Sequence, residues 1–309
     1  MEEKKARRKK ILKRILMIVA GALILYALAM TFVPVAVVSG TVNRRYDYKD
    51  SGEEKEGLFV ETSDGERLWM KICPVEEPRG AVIFLSGLSG PAVTEYQAHA
   101  DWLNGRGFTA VLLELRAHGL STGDRVGLGY QEPEDVRAAL SELRKDPSLR
   151  QVPVYLFGVS MGASAALVSM GEIPEIAGAV ALSPYASFEE QFEIRMEKAF
   201  VLPLSRMYVN ELICAFLRTT YGEEAFLTRN PREEILKAAG RPVLLIASRE
   251  DRRVPSENSI FLKEQYPEAE LWIREGSAHL VVSGNDLKNV WNDGEYRIKI
   301  EEWLEKITH

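Results

Sequence analysis

A chain of 309 residues that is 46% hydrophobic and 27% charged falls in the globular range and can fill one large core or two modest ones. Its formal charge of -6 is unevenly divided: the first 14 residues hold eight Lys or Arg against Glu2 and Glu3, a net +6, and everything after Arg14 sums to -12. An acidic body offers nucleic acid no electrostatic footprint, and four scattered histidines (His99, His118, His279, His309) and two distant cysteines (Cys73, Cys214) show neither metal-ligand spacing nor a disulfide framework.

Residues 1–14 read as a basic cytoplasmic tail. The uncharged run ILMIVAGALILYALAMTFVPVAVVSG, residues 15–40, exceeds the ~20 apolar residues that cross hydrocarbon and reads as a transmembrane anchor in the lipid bilayer. A cleaved signal peptide is the rival, with Ala27-Leu28-Ala29 as its cleavage pattern. The apolar stretch continues through Val38, past the roughly 7–15 residues of a signal core, which favours retention. On either reading the positive flank places the N-terminus inside the cell membrane and the body outside. Pro34, in the last third, is a place for a kink or an end. The polar stretch TVNRRYDYKDSGEEKE, residues 41–56, reads as a linker.

The body, residues 57–309, opens with LFVETS (58–63) and RLWMKICPV (67–75) around Asp64-Gly65, a hairpin signal. Apolar runs follow at 81–86, 108–115, 152–159, 176–183, 242–248 and 269–274. Helical patterns lie near 94–104, 132–145, 161–170, 256–265 and 286–306. Continuous apolar strands alternating with helices predict an α/β fold, a mostly parallel sheet covered on both faces, with its site beyond the C-terminal strand ends. One insertion, about residues 186–230, breaks the alternation. Phe188, Phe192, Met196 and Phe200 form an i,i+4 ridge, Leu204, Tyr208, Leu212 and Phe216 another, and Pro203 separates them. Its place after a strand's C-terminal end suits a small helical cap whose first ridge touches substrate.

Ser160, in YLFGVSMGAS, follows an apolar strand and precedes a helix-compatible run, and Gly158 and Gly162 allow the tight turn that exposes a nucleophilic hydroxyl. A serine nucleophile needs an imidazole and an orienting acid. Downstream, His309 is terminal, whereas His279 lies in a loop after the strand at 269–274. Glu250 and Asp251 end the strand before it, and Asp251 is favoured as the acid. The backbone amides of Met161, after the nucleophile, and Leu88, in the loop after the first central strand, suit an oxyanion hole. His118, in RAHGLSTG, precedes Ser160 and is expected to hold a turn beneath it, and His99 reads as a surface or half-buried residue.

Together GVSMG, LLIASREDRRVP, GSAHL, LRAHGLSTG and ALSPYASFEEQF resemble the alpha/beta-hydrolase superfamily and its serine-aminopeptidase-like, membrane-anchored branch, over about residues 57–307. The resemblance implies the alpha/beta-hydrolase fold with a helical cap and the triad Ser160, Asp251, His279. It departs where Ser86-Gly87 replaces the usual His-Gly, where Ala117 replaces a glycine, and where Glu114 stands for an aspartate. The function this implies is acyl transfer by a serine hydrolase, with no metal or organic cofactor. Esters with an apolar acyl group are the first substrate reading. A peptidase or amidase, and a non-catalytic membrane-tethered binding module, are the alternatives.

Overall fold

Each apolar run becomes a strand: β1 Leu58–Glu61, β2 Arg67–Cys73, β3 Gly80–Leu85, β4 Phe108–Leu113, β5 Val154–Val159, β6 Ile176–Leu182, β7 Val243–Ser248 and β8 Glu270–Arg274. In this computed structural model, which describes residues 2–49, 51–197 and 203–308, they form an eight-stranded sheet ordered β1-β2-β4-β3-β5-β6-β7-β8. β1 and β2, and β2 and β4, pair antiparallel, and every later pair is parallel. All residues of β3, β4, β5 and β7 are buried, as unbroken Val/Ile/Leu/Phe/Ala runs require when both faces of a sheet are covered. The expected hairpin turn falls at Gly65, whose φ of 93° suits glycine, and Glu61 pairs with Arg67 across it.

The first helix, α1 Glu2–Val42, runs unbroken through Pro34 and takes in the basic tail. It is long and apolar enough to cross a membrane, and only 6% of its most apolar window is buried in the protein. Its outer end is different. Met30, Pro34, Val38 and Val42, spaced four apart, turn one buried stripe to the body. The segment expected as a linker also differs, since it lies against the body. Arg45 donates to the carbonyls of Gly119 and Gly123, and Gly52 and Gly57 sit so close to Trp69 that neither has room for a Cβ.

α2 Gln97–Asn104, α3 Glu132–Leu143 and α4 Met161–Glu172 cover the sheet in turn, and every α4 residue from Met161 to Met170 is buried. The insertion holds α5 Phe188–Glu197, α6 Pro203–Tyr221, α7 Glu223–Thr228 and α8 Pro231–Glu234, with Pro203 opening α6 where its missing N–H costs no bond. The second apolar ridge is displaced by one position. Val209, Ile213 and Leu217 are buried, whereas Tyr208 is 43% exposed. The reason is that α6 has two partners: it packs on α5 and also lies along α1, where Tyr208 Oη is 3.0 Å from Thr31 Oγ1. Arg125 ties α6 to the residue that follows α1, donating to Asn43 Oδ1 and to the Thr220 carbonyl.

α9 Glu257–Gln265 and α10 Gly294–Ile307 complete the layers. The helical pattern at 286–306 divides into a 3-10 turn and α10 because Asp293 caps α10 by accepting from the Tyr296 amide while its carboxylate is held by Arg274. His99 is wholly buried rather than surface-lying, because the inner face of α2 packs on the sheet. It is ringed by Phe84, Tyr96, Trp102 and Phe157, with Nε2 3.1 Å from Tyr296 Oη.

Burial pushes the His99 imidazole down to about 3. The unfolded chain protonates it below ~6.5, so between those values the unfolded state binds more protons and stability falls as pH falls. We expect the detergent-solubilised protein to lose thermal stability from pH 7 to pH 5. His99→Gln, which retains a partner for Tyr296, should shrink that loss, and equal losses in both proteins would refute the assignment.

Candidate active site

The turn after β5 is the most constrained piece of backbone at the C-terminal sheet edge. Ser160 has φ 55° and ψ -119°, a conformation that residues with a Cβ avoid, and its amide donates to the Leu182 carbonyl at 2.8 Å. The flanking glycines are required by space. A Cβ on Gly158 would stand 2.2 Å from the Gly162 carbonyl oxygen, and one on Gly162 would stand 2.3 Å from that of Leu85. The Met161 amide, in the first turn of α4, has no acceptor inside the helix.

β7 and β8 pair in parallel, so the loops after them emerge side by side. There Asp251 Oδ2 lies 2.6 Å from His279 Nδ1, and both residues are buried. Asp251 Oδ1 accepts from the amides of Arg253 at 2.7 Å and Val254 at 3.2 Å. Burial raises the Asp251 carboxyl, but the His279 ring and these two amides outweigh it and hold the group below the usual carboxylate range. Glu250, the other acid weighed from sequence, is exposed, and its amide donates to the Gly276 carbonyl. With Nδ1 committed to Asp251, the His279 lone pair is left on Nε2.

Two serines that sequence reasoning passed over hold the histidine loop. Ser183 Oγ donates to the His279 carbonyl at 2.8 Å, and Ser248 Oγ donates to that of Ala278 at 2.6 Å. Ser183 directly follows the residue to which Ser160 donates, so Leu182-Ser183 ties the two loops together. Among the described residues no hydrogen bond joins Ser160 Oγ to His279, a separation common before substrate binds.

Leu88 lies in the loop after β3, beside Ser160 and Met161 at one small cavity of about 20 Å³. The rest of its wall is Leu128, Tyr185, Phe188, Phe192 and Gln191. Of the first predicted cap ridge, Phe188 and Phe192 therefore reach the cavity. Met196 is buried but does not line it, and Phe200 lies outside the described residues. Leu128, Tyr185 and Gln191 were not anticipated, although Tyr185 sits in the ALSPYASF segment already singled out. Asp251 and His279 open instead onto a wider, polar cavity with Arg252, Arg253 and Asn285. His118 braces the Leu88 loop: it is wholly buried, with Nδ1 2.7 Å from the Arg116 carbonyl and Nε2 2.9 Å from that of Leu88.

Comparison with known proteins bears on the fold and the family. Residues 76–239, more than half of the chain, match the family described as "Serine aminopeptidase, S33", a stretch that includes Ser160 and ends before Asp251. An uncharacterized Bacillus subtilis protein, YqkD, is 26% identical over 210 residues, which cover 65% of this chain and 64% of that protein's length. Human monoglyceride lipase is 28% identical over 280 residues, 80% of this chain and 89% of the lipase. Among solved structures, an esterase of Pyrococcus furiosus superposes with a TM-score of 0.63 at 20% identity, covering 87% of this chain and 98% of the esterase. With its eight-stranded sheet and capped site edge, the chain belongs to the S33 serine aminopeptidase family and is an alpha/beta hydrolase.

Proposed function

We propose that the protein is a serine hydrolase that cleaves carboxylic esters carrying an apolar acyl group. The observation that carries this reading is the buried 2.6 Å Asp251–His279 pair at the sheet edge where Ser160 is held in its strained turn. His279 Nε2 takes the proton of Ser160 Oγ as the oxygen attacks the ester carbonyl, and the amides of Met161 and Leu88 receive the oxyanion. Asp251 keeps the imidazole in the tautomer that leaves Nε2 basic and stabilises the imidazolium that forms. That proton then goes to the leaving alkoxide, and water activated by the same imidazole releases the acid from Ser160.

The wall of the cavity beside Ser160 favours an ester over an aminopeptidase substrate. Among the described residues its wall includes no carboxylate to meet the α-ammonium of an aminoacyl group, whereas six of its residues are large and apolar or aromatic: Leu88, Leu128, Met161, Tyr185, Phe188 and Phe192. Relatives named as a monoglyceride lipase and an esterase lend support. We also infer that α1 is a single-pass anchor, with residues 1–14 cytoplasmic and residues 57–309 a capped catalytic domain outside. Since α6 lies along the outer part of α1, this topology keeps the cap at the bilayer surface, which suits a substrate that partitions into lipid.

Three outcomes are expected. A fluorophosphonate probe should label the protein, and Ser160→Ala should abolish labelling and lower kcat by roughly 10⁴–10⁶, with His279→Ala nearly as damaging. Labelling that survives in Ser160→Ala would overturn the nucleophile. Lengthening the acyl chain of a substrate series should raise kcat/KM through added apolar burial, and Phe192→Asn should flatten that gain. An unaltered slope would make Phe192 purely structural. In cells, a C-terminal tag should pellet with membranes at full-length mass and be digested by protease from outside spheroplasts. A protected tag would reverse the orientation, and a shortened soluble product would mean cleavage after Ala29.

A further inference from the structure

The Ser86 side chain is too short to hold the loop that presents Leu88, Gly87 has no side chain, and a Cβ on Gly87 would stand 3.5 Å from Ser160 Cβ. The rings that hold this loop come from elsewhere in the chain. The Tyr46 amide donates to the Ala117 carbonyl at 2.8 Å, and the Gly119 amide donates to the Tyr46 carbonyl at 3.0 Å, so the segment after α1 pairs with the His118 turn. The Tyr46 ring stacks with His118 at 5.4 Å between centroids and 15° between planes, and the Tyr48 ring does so at 5.8 Å and 28°. His118 Nε2 lies on the Leu88 carbonyl, and Tyr48 Oη donates to the Gly87 carbonyl at 3.4 Å.

The last contact bears on the site because a peptide unit is planar. The Gly87 carbonyl and the Leu88 N–H belong to one such unit, so a group that holds the oxygen also sets the direction of the N–H. His118 Nε2 lies 2.9 Å from the carbonyl of the next unit, so with the ring proton on that nitrogen Leu88 is restrained on both sides.

We propose that Tyr48, backed by Tyr46 and His118, is a positioning residue of the active site, which aims the Leu88 amide at the oxyanion. The chain between anchor and body is then part of the catalytic apparatus rather than a tether. This rests on the serine-hydrolase reading above. An oxyanion donor is worth roughly 10²–10³ in kcat, and one left in place but misdirected loses part of that. Substrate binding in the ground state does not draw on it, so KM is left nearly unchanged.

The test uses the full chain in detergent micelles, with Tyr48→Ala, Tyr48→Phe and, as a control at an exposed neighbour, Lys49→Ala. Active sites are counted by end-point fluorophosphonate labelling, and kcat and KM for a p-nitrophenyl ester are expressed per labelled site. Tyr48→Ala is expected to lower kcat per site by about 10–100-fold at nearly constant KM, with the labelling rate falling in parallel. Tyr48→Phe, which keeps the ring but removes the hydroxyl that holds the Gly87 carbonyl, should show most of the same loss, and Lys49→Ala should match the parent. An unchanged kcat per site in Tyr48→Ala overturns the proposal. So does a loss seen only as fewer labelled sites and a lower thermal midpoint, because that marks a merely structural residue. If the unaltered chain takes no label, the serine-hydrolase reading fails first and the inference falls with it.

Discussion

The whole site edge hangs on one close approach, that of the Gly162 backbone to the end of β3. With a virtual Cβ only 2.3 Å from the Leu85 carbonyl oxygen, α4 starts closer to the sheet than any side chain permits. At this approach Ser160 has a positive φ, and Leu88, Ser160 and Met161, the first residue of α4, line one cavity. A helix buried nearly all round makes this tolerable, because dispersion and apolar burial along α4 offset a strain of order 1–3 kcal/mol at one residue.

Buried polar groups stabilise the loops around that turn. Arg116 is held by Asp135 and Asp64 together, and its own amide donates to Asp135, so the turn that carries His118 is pinned to both α3 and the β1–β2 hairpin. Breaking one partner of such a buried pair is costly because it strands the other charge. The Asp251–His279 pair obeys the same rule with a different result. Its carboxylate is satisfied by two amides and one ring, and both residues line the wider cavity.

The long apolar helix α1 and the body are mechanically one object over the last turns of that helix. A stripe of four residues faces the body, α6 runs alongside, and the following segment is hydrogen-bonded to the His118 turn. The cavity of about 20 Å³ beside Ser160 has room for little more than a water molecule, and Phe188 and Phe192 of the insertion are among the residues that close it.

Much of this was legible in the sequence because it is written in local pattern. Eight apolar runs became eight strands, Gly158 and Gly162 marked the tight turn at Ser160, and a mostly parallel sheet followed from unbroken runs alternating with helices. His279 and Asp251 stood in loops after neighbouring strands, and chain order alone brought them to one edge. What the tertiary structure decided is non-local. The α6 stripe was misjudged by one residue because a helix with two partners has two apolar faces, and periodicity does not say which is buried. His99 looked like a surface residue because one histidine in a short helix carries no sign of the aromatic cage that encloses it. Tyr46 and Tyr48, two rings in a polar stretch, had no period to betray them. Only the approach of residues some seventy positions away in sequence turns them toward His118, since ring stacking needs a partner that local spacing does not encode.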